Sequence, residues 1–276
     1  MRQFCCILLT MAALHGAEKP VVADVLSVDA ATGRATVRLA NDPERRMGVM
    51  FSPADAAMGW VGRRIRYVPT PNGDDVRADR VFPAGDEELR RAKETTDTLR
   101  RATADRGRMV SRMPAELIPD MALWDQSARM VTKRDLLGRP FVINFVFTSC
   151  RNAKMCPAAT RCMKQLGDLL EKSDGDARLV TVTFDPEVDS PGVLRTYADG
   201  YGIDGRRHAF LTGDEGQIKD LMRQYGILTA ESDGTIVHNA ATLVVSPEGR
   251  IVRRIEGATF DPQDVFRSLA GIGRPR

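Results

Sequence analysis

Histidine is scarce, with three in 276 residues, and aromatic side chains make up only 6 % of the chain. So few rings argue against a stacking platform for bases or sugars. An excess of one charge is also missing: 40 basic side chains are mixed with 37 acidic ones, for a net charge of +3. A nucleic-acid binder would gather its basic residues into a patch, so that class is set aside. After the first 17 residues no stretch holds 18 consecutive apolar residues, which argues against a later membrane-spanning helix. Collagen-like, disordered and polytopic membrane compositions do not fit either. At 43 % apolar residues the chain can fill the core of one large domain or two modest ones.

The first 17 residues, MRQFCCILLTMAALHGA, place Arg2 before an apolar run from Phe4 to Leu14 and end on the small residues Gly16 and Ala17. This is the layout of a secretory signal peptide, with Cys5 and Cys6 as filler in its apolar segment. The expectation is export to the periplasm or the outer face of the inner membrane, with membrane-surface association left open. Removing the segment leaves Cys150, Cys156 and Cys162, and of the histidines only His208 and His238. Three cysteines within thirteen residues, outside the reducing cytosol, mean a disulfide with a spare thiol or a metal site.

Residues 18–83 alternate with period two in five runs: 20–29, 34–40, 45–51, 63–69 and 75–82. Turn-forming stretches separate them, and SPADAAMGW between the third and fourth suggests a helical turn. Such a pattern predicts a small all-β, OB-like barrel. Residues 84–113 form a charged linker. Its stretch 86–108 carries 13 charges in 23 positions, with Asp86/Arg90, Glu87/Arg91 and Asp97/Arg101 spaced i,i+4. A solvated spacer helix is expected there.

From residue 114 to 276 strands and helices alternate. FVINFVF (141–147) and RLVTVTF (178–184) are continuous apolar runs, as expected of parallel strands covered on both faces. Between them PAATRCMKQLGDLLEK (157–172) sets Ala159, Cys162, Met163, Leu166, Leu169 and Leu170 on one helical face. Two further helices, a hairpin around Pro247-Glu248-Gly249 and a closing helix follow. This order is that of a thioredoxin-like α/β domain.

Cys150 falls just past the first buried strand, and Cys156 immediately precedes Pro157. Proline favours the first helical position, which predicts Cys156 at the cap, with its pKa lowered by the helix dipole and by Arg151 and Lys154. The C-x5-C gap still lets the two sulfurs meet, so a redox disulfide and shared metal coordination both remain open. Cys162 lies on the apolar stripe and is expected to be a buried, inert thiol. A third ligand must be His208, whose surroundings suggest surface or packing, or His238, which precedes the hairpin. Two thiolates with one imidazole suit copper, whereas structural zinc would need a fourth ligand.

The stretch 114–273 resembles the Sco/SenC family of copper chaperones and thiol oxidoreductases for cytochrome c oxidase assembly. The motifs that carry the resemblance are LLGRPFVINFVFTSC…CP, VTFDPEVDSP and DGTIVHNAATLVVSPEGRIV. It implies Cys150, Cys156 and His238 as copper ligands, for Cu(I) and also Cu(II), although the family usually has three residues between its cysteines. Asp185 and Asp189 match the family's acidic segment, and turn and helix-start chemistry accounts for them equally well. Implied partners are a copper acceptor such as a cytochrome oxidase subunit and a thiol reductant. The barrel is similar to the periplasmic copper-binding CusF-like domain, with Met47, Met50, Met58 and Trp60 in the matching region but no histidine. The resemblance therefore implies a barrel retained as structure, with its copper site weakened or gone. Two activities stand: copper delivery, and thiol–disulfide exchange by Cys150 and Cys156 without stored metal. A peroxiredoxin fits less well, because its arginine partner is not identifiable.

Overall fold

The computed structural model describes residues 19–107, 110–232 and 235–272; the export signal expected at 1–17 lies outside them. Strands β1 (Val21–Val28), β2 (Arg34–Leu39), β3 (Asp42–Phe51), β4 (Arg64–Asn72) and β5 (Asp75–Pro83) close into a barrel of order β1-β2-β3-β5-β4. The expected runs and the strands agree because the inward residues of each strand alternate: Ala23 and Val25, Ala35 and Val37, Ile65 and Tyr67 are all buried. One turn of helix, α1 (Pro53–Ala56), follows β3, with the Ser52 side chain capping the Asp55 N–H and proline at the first helical position.

Helix α2 (Asp86–Asp105) departs from the expected solvated spacer. Ala92, Leu99 and Thr103 are fully buried. They face α6 (Glu215–Tyr225), whose buried Gln217 and Gln224 amides donate to the Thr96 and Thr103 hydroxyls, each at 2.8 Å. The apolar stripe is too thin to announce a core, but small residues and paired amides make one. Of the three expected ion pairs only Glu87–Arg91 forms, at 2.8 Å; Asp86 instead approaches Arg64 of the barrel at 3.6 Å.

The remaining chain builds a seven-stranded sheet. Its strands are β6 (Ala122–Asp125), β7 (Met130–Thr132), β8 (Phe141–Val146), β9 (Arg178–Thr183), β10 (His208–Thr212), β13 (Ala241–Val245) and β14 (Ile251–Glu256), in the order β14-β13-β8-β9-β10-β6-β7. The central β8, β9 and β10 run parallel, and the flanking pairs are antiparallel. Phe141, Ile143 and Phe145 of β8 pack with α2 and α6. Val142 packs on the opposite side with α4 (Cys156–Lys172) and α7 (Pro262–Gly271). Covered on both faces, β8 must be apolar throughout, hence its unbroken run. A short α3 (Lys133–Leu136) and α5 (Pro191–Gly200) complete the layers of this thioredoxin-like α/β domain.

One element was not legible in the chain: a separate two-stranded hairpin of β11 (Thr229–Ser232) and β12 (Thr235–His238). Its base is tied by Asn239, whose side chain accepts from the Leu228 N–H at 2.7 Å and donates to the Gly226 carbonyl at 2.9 Å. Gly226 closes α6 in the left-handed conformation, φ 67°, which a residue with Cβ rarely adopts.

Candidate metal centre

Three strand-to-helix and hairpin junctions meet at one end of β8. Cys150 sits in the loop after β8, Cys156 opens α4, and His238 ends β12. One Sγ from each cysteine and one ring nitrogen of His238 all lie within 4.8 Å of one another. The Cys156 Sγ is 3.6 Å from His238 Nε2. Eighty-two residues separate these two in sequence, so only the sheet and the hairpin bring them together.

The histidine is oriented by its own surroundings. Its Nδ1 lies 2.7 Å from the Asn239 carbonyl, which can only accept, so Nδ1 carries the proton and Nε2 turns its lone pair to the thiols, where it accepts from the Cys156 S–H. The ring also packs on Phe184, centroids 4.6 Å apart, and edge-on to Phe147 at 5.8 Å. Burial lowers its pKa against the opposing pull of the Asn239 carbonyl, which keeps the imidazole neutral, the form that binds metal.

The expected lowering of the Cys156 pKa is overturned. Met155 occupies the cap and Cys156 is the first helical residue, with its side chain 1 % exposed inside the core. Burial pushes the thiol up to about 12, and the adjacent Cys150 sulfur adds to the rise. Arg151 and Lys154 are exposed, too well solvated to offset it. Metal binding must therefore displace the Cys156 proton, whereas Cys150, half-buried, is the more accessible sulfur.

The other candidates fall outside this cluster. Cys162 is half-buried rather than buried and packs against the α4–α7 core. His208 is buried; its Nε2 lies 2.7 Å from the Thr181 hydroxyl, its ring stacks on Phe210, and burial drives its pKa to about 3. Asp185 forms the turn: its carbonyl accepts the Val188 and Asp189 N–H groups. Asp189 is fully buried and reaches the cysteine loop instead, accepting from the Thr148 N–H at 3.1 Å and from the Thr148 and Thr183 hydroxyls. Ser190, not an aspartate, caps α5. Phe147, Thr148, Phe184 and Asn239 were all missed by sequence reasoning. Only Asn239 carried a signal, its adjacency to His238.

In the barrel, Met47 and Met50 lie half-buried on β3, and Met58 and Trp60 are buried. The Met58 sulfur is 3.9 Å from an Arg195 nitrogen, and the Arg63 guanidinium covers the Trp60 ring at 5.0 Å.

Comparison with known proteins gives the same picture. The SCO1/SenC family profile matches residues 110–273. The SCO1 protein homolog of Bacillus subtilis (strain 168) is 26 % identical over 144 residues, 51 % of this chain and 74 % of that one. The solved structure of BsSco, described as a member of the Sco family of cytochrome c oxidase assembly proteins, superposes with a TM-score of 0.53 at 22 % identity, covering 60 % of this chain and 99 % of that one. Arabidopsis thaliana ScoI with copper bound gives a TM-score of 0.50 at 22 % identity, over 56 % and 97 % of the two chains. With more than half its length matched by the profile, the chain belongs to the SCO1/SenC family.

Proposed function

We propose that the chain binds copper through Cys150, Cys156 and His238 and delivers it to the copper site of a respiratory cytochrome oxidase. The observation that carries this reading is the convergence of two thiols and one imidazole nitrogen within 4.8 Å. Two sulfurs and an imidazole are a soft donor set suited to Cu(I), and three ligands leave the metal open to exchange with an acceptor. The relatives add support: one is a copper-bound structure, and another is described as an oxidase assembly protein. The longer C-x5-C loop is compatible with this set, since the sulfurs still meet.

A second activity is favoured by the unequal exposure of the two sulfurs. Cys150 is accessible and Cys156 is buried behind it, the arrangement of an attacking and a resolving thiol. Disulfide formation would release two protons and two electrons from the pair, and an acceptor disulfide would take both up as two thiols. We read residues 1–17 as an export signal and the five-stranded barrel as an OB-like, CusF-type module without a working copper site. Among the described residues no helix is long and apolar enough to cross a membrane.

Anaerobic Cu(I) titration of the reduced protein tests the reading. One ion bound by the wild type, with at least a tenfold loss of affinity in His238→Ala, supports delivery. Equal affinity in the two proteins, with an unchanged thiol potential, would leave only the oxidoreductase.

A further inference from the structure

Helix α5 touches both the barrel and the two cysteine junctions. On the barrel side, the Ser190 hydroxyl donates to Asp55 Oδ1 at 3.3 Å, and Asp55 is only 3 % exposed. Gly192, the second residue of α5, is packed so closely that a Cβ there would lie 2.6 Å from Asp55 Oδ1 and 3.0 Å from the Ala54 backbone. Arg195 reaches the Met58 sulfur. The Arg80–Glu187 ion pair, 2.8 Å, ties β5 to the turn before the helix.

On the other side, the same helix holds the metal centre at two points. Asp189, the residue before the α5 cap, clamps Thr148, two positions ahead of Cys150. Tyr197 pairs with the Thr160 hydroxyl at 2.9 Å, and that hydroxyl donates to the Cys156 carbonyl at 3.0 Å. The barrel lies outside the part of the chain that the family profile matches, so this contact is an addition to the family's own domain.

We propose that the barrel is a positioning domain for the Cys150–Cys156–His238 centre, acting through the first turn of α5. Docking of Asp55 and Ala54 against Ser190 and Gly192 fixes where α5 sits, and α5 fixes the backbone on both sides of the C-x5-C loop. Asp55 and Gly192 touch none of the three donors, so their effect on the centre must pass through this helix. The copper readout rests on the proposed function; the thiol potential does not, and so separates the two.

The test uses the full chain carrying Gly192→Leu, which must push α1 off α5, and separately Asp55→Ala, which removes the carboxylate from the barrel side. In both, Cu(I) affinity is expected to fall about tenfold, the lower end of what loss of an outer-shell partner costs. The dithiol–disulfide equilibrium, measured without metal, is expected to shift about tenfold toward the dithiol, about 30 mV, because a loosened loop no longer holds the sulfurs adjacent. Val37→Ala, a buried residue of β2 outside the α1–α5 contact, serves as a control for general destabilisation of the barrel. Should Gly192→Leu fail to fold by circular dichroism, Asp55→Ala carries the test. Unchanged potential and affinity in the folded variants, or an equal shift in Val37→Ala, overturns the proposal. A wild type that binds no Cu(I) while the potential still shifts would sink the copper reading and leave the positioning role standing.

Discussion

The barrel and the thioredoxin-like domain each present a soft-donor set in sequence, and the fold treats the two sets in opposite ways. Met47, Met50, Met58 and Trp60 lie within fourteen residues, yet Met47 packs on the barrel core, Met58 meets Arg195, and Trp60 lies under Arg63 within that core. Cys150, Cys156 and His238 are spread over 89 positions and still converge within 4.8 Å. Closeness along the chain supplies candidate ligands. A site also needs a shared focus, which Cys150, Cys156 and His238 have.

The largest expected effect lies in the second set. Cys150→Ser or Cys156→Ser should lower Cu(I) affinity more than 100-fold, beyond the 10–100-fold range of outer-shell changes, as read by competition with a Cu(I) chelator. Survival of tight binding in either variant would break the contrast. Trp60→Ala, by comparison, should cost about 3–5 kcal/mol in urea unfolding while the protein still binds a single Cu(I) ion. If the wild type bound two ions and this variant one, the barrel would be a metal site after all.

Next in size is an effect at the contact between the two regions. Burial raises the Asp55 pKa from 3.8 to about 6, so the folded chain prefers the protonated acid. The stability tied to that proton is complete below about pH 4 and is lost as pH rises through about 6. Relative to Asp55→Asn, the wild type should therefore lose about 3 kcal/mol over that window, measured by urea unfolding at stepped pH. A constant difference between the two proteins would mean that Asp55 is solvated and the docking looser than described. The smallest effect concerns the cation over Trp60. Arg63→Ala removes that contact and the 2.6 Å hydrogen bond to the Ala128 carbonyl, for about 1–2 kcal/mol, and should add no copper site.

Much of the fold was legible because its signals are local. All five barrel strands follow from period-two alternation, and β8 from its unbroken apolar run. The charged helix was misjudged because its buried face is built from Ala92, Leu99 and Thr103, with a single large apolar side chain among them, and from glutamines 121 residues away. The metal centre was legible as residue types and only in part as chemistry. Position at a helix start argued for an acidified Cys156, but desolvation in the core, with the Cys150 sulfur beside it, outweighs a helix dipole that acts over a single turn.

By itself the sequence determined the barrel strands, the buried strand β8, the apolar face of α4 and the identity of the soft donors, since backbone periodicity and ligand chemistry are properties of short stretches. The tertiary structure alone decided which donors share a point, which thiol is buried, and that a carboxylate from the barrel rests on the helix bracing the cysteine loop. Those outcomes depend on distances between residues far apart in the chain and on how much water each keeps, and both are set only when the sheets and helices pack.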